Sequence, residues 1–136
     1  LLRVLAAFQD KGFGNKNLMV YCIINNGFYE GRQNQVAAEI MRNWCSAVGL
    51  TYGQTLGIGA GEMLAFIKDV PLGHGPNKNI GTALQKLSQN ILSRSQGEDL
   101  FISPNWPRFL WKIQASLFFW YPRAKKNGLK RRDLYS

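Results

Sequence analysis

Hydrophobic and polar positions change period along this chain, and each change marks an element. Near the start, Leu2, Leu5 and Ala6 share a helical face with Phe8 flanking it; Gly12 and Gly14 break the pattern, so a short helix is expected over residues 1–10. Residues 18–25 (Leu-Met-Val-Tyr-Cys-Ile-Ile-Asn) form an apolar run without polar alternation, as in a parallel strand covered on both faces. Asn25, Asn26 and Gly27 then predict a turn. Over residues 33–48, Val36, Ala37, Ile40, Met41, Trp44 and Val48 recur at spacings of three and four, the pattern of an amphipathic helix, which Gly49 closes. A second strand is expected over residues 51–58, weakened by its glycines, followed by Gly59, Ala60, Gly61 and a short helical piece through Phe66.

Strand, helix and strand within about 40 residues make a βαβ unit, expected to be right-handed with its strands parallel, and the class is therefore α/β. A loop rich in Gly and Pro follows over residues 68–79. Helical periodicity returns at Ile80, Ala83, Leu84, Leu87, Ile91 and Leu92. After Pro104 and Pro107 comes an aromatic stretch over residues 108–121, which Pro122 is expected to end. Two strands are too few for an independent sheet, so either further elements lie hidden in the C-terminal third or the chain is the latter half of a larger doubly wound domain. Its first residues lack both an initiating Met and the features of a signal peptide, which fits a start inside a larger product. The organisation expected is residues 1–104 as the α/β part and residues 105–136 as an aromatic helix with a basic tail packed on it.

Composition narrows the function classes. The 136 residues suit one domain, and 46% apolar against 18% charged residues excludes disorder for most of the length. The net charge of +9 is uneven: residues 105–136 hold eight basic residues and one acidic, a net of +7, while the rest carries nine basic and seven acidic. A basic tail on a nearly neutral body is a different object from a polyanion-binding fold, and no recognised nucleic-acid motif accompanies it, so no specific nucleic-acid partner is expected. Two cysteines, Cys22 and Cys45, cannot build a disulfide scaffold or a zinc site, and a reducing, cytoplasmic compartment is expected. The single histidine, His74, is too few for a His-based metal centre or for separate histidine acid and base. No metal ligand and no catalytic residue is assigned. The longest apolar runs fall far short of the roughly 20 residues of a spanning helix.

The order of buried strand, Asn-Asn-Gly-Phe-Tyr-Glu turn, amphipathic helix, Gly-rich strand end and further helix resembles the C-terminal half of flavodoxin-like NAD(P)H-dependent FMN reductases. The resemblance runs from about residue 18 to the end. Residues 20–31 and 57–62 carry it, with Ser103 and Pro104 through Pro107 and Arg108 to Asn127, Gly128 and Leu129. It implies a flavodoxin-like doubly wound parallel sheet, incomplete in this chain because the N-terminal strands and the phosphate-cradling Ser/Thr-rich loop of that family have no counterpart upstream of Leu18. It implies FMN as cofactor, a nicotinamide nucleotide as hydride donor and an unassigned acceptor. Residues 18–25 and 51–58 would be the fourth and fifth strands, the latter at one edge of the order 2-1-3-4-5.

In such sheets ligands bind beyond the carboxyl ends of the strands, which points to Asn26, Gly27, Phe28, Tyr29 and Glu30. Gly27 allows close approach to a flat ring, and Phe28 and Tyr29 offer stacking faces; by resemblance the loop would edge the flavin ring. The competing reading is a plain strand-to-helix turn. Gly57, Gly59 and Gly61 have the spacing GxGxG, which is not a dinucleotide fingerprint, and read better as a turn allowing close packing. Cys22 is expected to be an inert core thiol and Cys45 a helix residue on or beside the packed face. In the last segment Leu110, Ile113, Leu117 and Trp120 align, and this row is expected to pack on protein, on this domain or on a second copy. The alternative, from a different class, is a non-enzymatic interaction or membrane-peripheral module that uses the aromatic, basic C-terminus.

Overall fold

The run Met19–Asn25 forms strand β1, and what it packs against can be followed in a computed structural model that describes residues 2–11 and 17–134. Before it lies helix α1 (Leu2–Asp10), whose Leu5 is buried and accepts a hydrogen bond at its carbonyl from the Trp44 indole at 3.1 Å. Strand β2 (Thr51–Ile58) pairs with β1 in parallel, with Tyr21 opposite Gln54 and Ile23 opposite Leu56; the register shifts between Val20 and Tyr21, leaving Gly53 as the extra residue of a bulge. A third strand, β3 (Leu100–Ile102), pairs in parallel with the other edge of β2, Leu56 opposite Leu100. The sheet order is β1-β2-β3. The second strand is therefore central, not at an edge as its position in the resemblance requires, and its last six residues are all buried.

A short 3₁₀ turn (Gly31–Asn34) leads into helix α2 (Gln35–Val48), closed by Gly49 in the left-handed region, φ 72°, with the Leu50 amide donating to the Cys45 carbonyl at 2.8 Å. The buried face of α2 is Ala38, Met41 and Cys45, and Val36, counted on the packing face by its spacing, is exposed. Helix α3 (Lys78–Leu92) buries Ile80, Ala83 and Leu87 against Leu56 and Ile58, with Tyr21, Leu84, Leu100 and Ile102 filling the edges, while Ile91 and Leu92 are exposed.

The two helices cover opposite faces. Leu56 and Ile58 point to α3; Gly57 faces Asn34 at the start of α2, and the Cys22 thiol, on that same face, bonds to Thr55. The strands of the expected βαβ unit do pair in parallel, and because both crossovers step the same way across the sheet with their helices on opposite faces, the hands of the two crossovers are opposite.

The chain divides into two compact units, Leu1–Asn105 and Trp106–Ser136. Within the second, α4 (Arg108–Gln114), a π-helical segment (Ala115–Trp120) and α5 (Tyr121–Lys126) follow without a break. Pro122 was expected to stop this helix and does not. In an α-helix its ring would collide with the carbonyl four residues back, and the wider π turn just before it opens that space. Of the row expected to pack on this domain or on a second copy, Leu110 is half-buried, and Ile113, Leu117 and Trp120 are exposed on the single chain. Among the described residues no helix is long and apolar enough to cross a membrane.

Candidate functional site

The two ends of the sheet are built differently. At the amino end, polar networks close it. On the α3 face the Tyr21 hydroxyl lies 2.9 Å from the Asn90 carbonyl and 2.8 Å from the Ser95 carbonyl, and the Asn90 amide donates to Gln54 Oε1 at 2.9 Å. On the α2 face, Asp99 Oδ1 accepts from the Tyr52 hydroxyl at 2.7 Å and from the Thr55 amide at 2.8 Å, and its other oxygen meets Arg42 at 2.5 Å. Asp99 is the residue before β3, so its carboxylate takes the place of a strand partner for the buried Thr55 amide. Arg42 also stacks 4.9 Å from the centre of the Tyr52 ring. Burial, with the adjacent Asp99 adding to it, pushes the Tyr52 hydroxyl up to about 12. These residues serve the architecture, and their spacing in the sequence gives no hint that they meet.

At the carboxyl end the loops after β1 and β2 are bonded to one another. The Asn26 amide donates to the Ile58 carbonyl at 3.1 Å, Ala60 to Phe28 at 2.5 Å and Gly61 to Asn26 at 2.6 Å, and the Asn34 side-chain amide donates to the Ile58 carbonyl at 3.2 Å. A Cβ at Gly59 would collide with the Tyr29 carbonyl oxygen and stand 2.6 Å from the Gly31 nitrogen; one at Gly31 would stand 2.7 Å from the Gly57 carbonyl oxygen. Close backbone approach requires both glycines; at Gly59 the approach is to the loop backbone of residues 29–31, not to a following helix. Ala60 adopts the left-handed region, φ 53°.

The five residues singled out by sequence lie in this layer. Phe28 is 65% exposed, while Tyr29 is half-buried with its hydroxyl 3.5 Å from the Pro104 carbonyl. The nearest atom to a Cβ built at Gly27 is Glu62 Oε1, 3.9 Å away, so the backbone there is open. Asn26 Oδ1 is enclosed and has no hydrogen-bond partner among the described residues.

Sequence reasoning missed a cleft of about 480 Å³ on the α3 face, lined by Ile23, Ile58, Leu64, Leu72, Ile80 and Leu84, with Lys68 and Asp69 also at its wall. Asn77, buried at the start of α3, holds that wall in place by donating to the carbonyls of Ile67 (3.1 Å) and Val70 (2.7 Å). The available signal was three apolar residues, Ile67, Val70 and Leu72, in a segment otherwise composed as a solvated loop. Ile23, 60% exposed, forms its outer side on β1, which pairs on one side only among the described residues. Residues 26–30 do not line this cleft; it adjoins their loop only through Ile23 and Ile58 at the strand ends.

Both thiols are poor nucleophiles: burial pushes Cys45 up to about 11 and raises Cys22 as well. His74 lies in an exposed turn. No group of three or more His, Cys, Asp or Glu able to hold a metal occurs among the described residues. No family model, no curated protein and no solved structure matches this chain.

Proposed function

We propose that residues 18–105 form the ring-facing part of a flavodoxin-like, FMN-binding oxidoreductase domain, with β1, β2 and β3 as the third, fourth and fifth strands of the order 2-1-3-4-5. The strand order β1-β2-β3 supports this assignment, under which the loop after β1 would stand at the switch point where FMN binds in that order. In such a run right-handed crossovers would place both helices on one face, whereas here they lie on opposite faces, a departure from that pattern.

The observation that carries the reading is the loop of residues 26–30. It holds an open peptide at Gly27, an exposed aromatic ring at Phe28, and at Asn26 an enclosed acceptor without a donor. The first two features fit the face of a flat heteroaromatic ring. Gly27 would permit contact with the ring plane, Phe28 would shield it from water, and the bonds to Ala60 and Gly61 would keep the loop from shifting as the ring enters. A bound flavin would supply the redox chemistry, hydride from a reduced nicotinamide passing to an acceptor, and these residues would bind and orient it. The described residues offer no phosphate cradle, so ring contacts alone would set the affinity.

Flavin fluorescence titration of this chain tests the reading. Riboflavin and FMN are expected to bind weakly, saturably and with equal affinity, and Gly27→Val is expected to weaken both by about tenfold or more. Absence of saturable binding by either flavin, or a Gly27→Val protein that is folded and binds unchanged, overturns it.

A further inference from the structure

We propose that residues 106–134 are a docking device for anionic membrane surfaces, lying in the interface without crossing it. The inference is independent of the flavin reading.

The exposed apolar side chains of this unit are ordered. Phe109, Ile113 and Leu117 follow one another at steps of four, with Phe118 and Trp120 beside them, and all five are exposed. In an α-helix each step of four drifts by about 40° around the axis. The π-helical segment Ala115–Trp120 winds more slowly and drifts the other way, so the row runs nearly straight along the helix. On the opposite side Trp111 and Phe119 are half-buried. A straight apolar row flanked by an exposed phenylalanine and an exposed tryptophan is what the boundary between headgroups and acyl chains accommodates.

Charge identifies the partner. Eight basic residues and one acid lie in residues 105–136, and Lys112, Arg123, Lys125, Lys126, Lys130, Arg131 and Arg132 are all exposed. The acid, Asp133, is taken up locally, with Arg132 3.7 Å away and the Lys130 amide donating to it at 2.8 Å. Two guanidinium groups are held over rings: Arg123, 3.5 Å from the Phe119 centre, on the side away from the apolar row, and Arg131, 4.0 Å from that of Tyr121. Stacked by its face, the Arg131 guanidinium keeps its in-plane N–H groups for an anion, in the geometry that suits a phosphodiester. A protein partner would need a matching acidic groove; a bilayer containing phosphatidylserine presents phosphate, negative charge and an apolar layer together.

Co-sedimentation of the full chain with vesicles of phosphatidylcholine, with and without phosphatidylserine, tests this. Binding is expected to the anionic vesicles only and to weaken as salt is raised. Lys125→Ala with Lys126→Ala should lower partitioning about 25-fold, from roughly a factor of five per basic residue. Phe109→Ser with Phe118→Ser should lower it about tenfold or more, with circular dichroism unchanged because both side chains are already exposed. Brominated lipid should quench tryptophan emission in the wild-type chain and quench the Trp120→Phe variant less. Three results would overturn the proposal: no vesicle binding; binding unaffected by the phenylalanine substitutions and fully displaced by heparin or RNA, which would make this a polyanion site; or lipid-free self-association in sedimentation velocity that those substitutions abolish, which would make the row a subunit interface.

Discussion

Removing the carboxylate of Asp99 should cost far more than removing its ionic partner. Asp99 is 10% exposed and serves two donors besides Arg42, one of them the amide of the fully buried Thr55. In Asp99→Ala the Thr55 amide loses a charged acceptor in a place water does not reach, at about 1.5–3 kcal/mol. The Tyr52 hydroxyl loses less, about 1 kcal/mol, since Thr55 Oγ1 stands 2.6 Å away. The ion pair adds at most about 1 kcal/mol, because Arg42 is half exposed and screened by solvent. The sum is about 2.5–5 kcal/mol. Arg42→Ala removes only the ion pair and the stacking on Tyr52, together about 1 kcal/mol. Urea unfolding of the two variants, compared at constant slope, measures both. Equal costs for Asp99→Ala and Arg42→Ala would show that the carboxylate acts only as an ion-pair partner and would refute its role in the sheet.

Gly59→Ala should destabilise by about 3 kcal/mol, since its Cβ meets backbone of the neighbouring loop that cannot rotate away, and a thermal melt reads this directly. Tyr52 titrates at about 12 when folded against 10.0 ordinarily. An acid with a raised pKa contributes stability that is full below pH 10 and declines as pH climbs toward 12, which denaturation at a series of alkaline pH values, paired with tyrosinate absorbance, will follow. Cys45, fully buried and raised to about 11, should resist a thiol reagent at neutral pH until the protein unfolds, so its modification rate should track denaturant concentration.

The strand β1 and the helices α2 and α3 are legible because each carries one unbroken pattern over enough residues to fix its period. β3 is not: Leu100–Ile102 is three residues between Asp99 and Ser103, too short for any periodicity, and it is a strand because the outer edge of β2 requires a partner. β2 itself looks weak in sequence because of Gly53 and Gly57, yet both are placed by neighbours, the rings of Tyr21 and Phe101, that only the fold brings there. The loop at residues 26–30 could be located from strand polarity alone. Its bonds to residues 58–61 and the cleft lined by Leu64 and Leu72 depend on contacts between distant segments, and local pattern carries no record of those.

The place of β2 at the centre of the sheet also sets a schedule for synthesis. Its first edge is covered by a strand that has already emerged, but the strand for its second edge begins at Leu100, after Ile58 and the whole of α3. At ordinary translation rates those roughly 40 residues take about 2–8 s to appear. During that interval the strand presents an unpaired row of amides and carbonyls along that edge. A slowed ribosome between these two points would lengthen the interval in which the nascent chain needs a chaperone, so synonymous codon changes there should alter the soluble yield while leaving the finished protein identical.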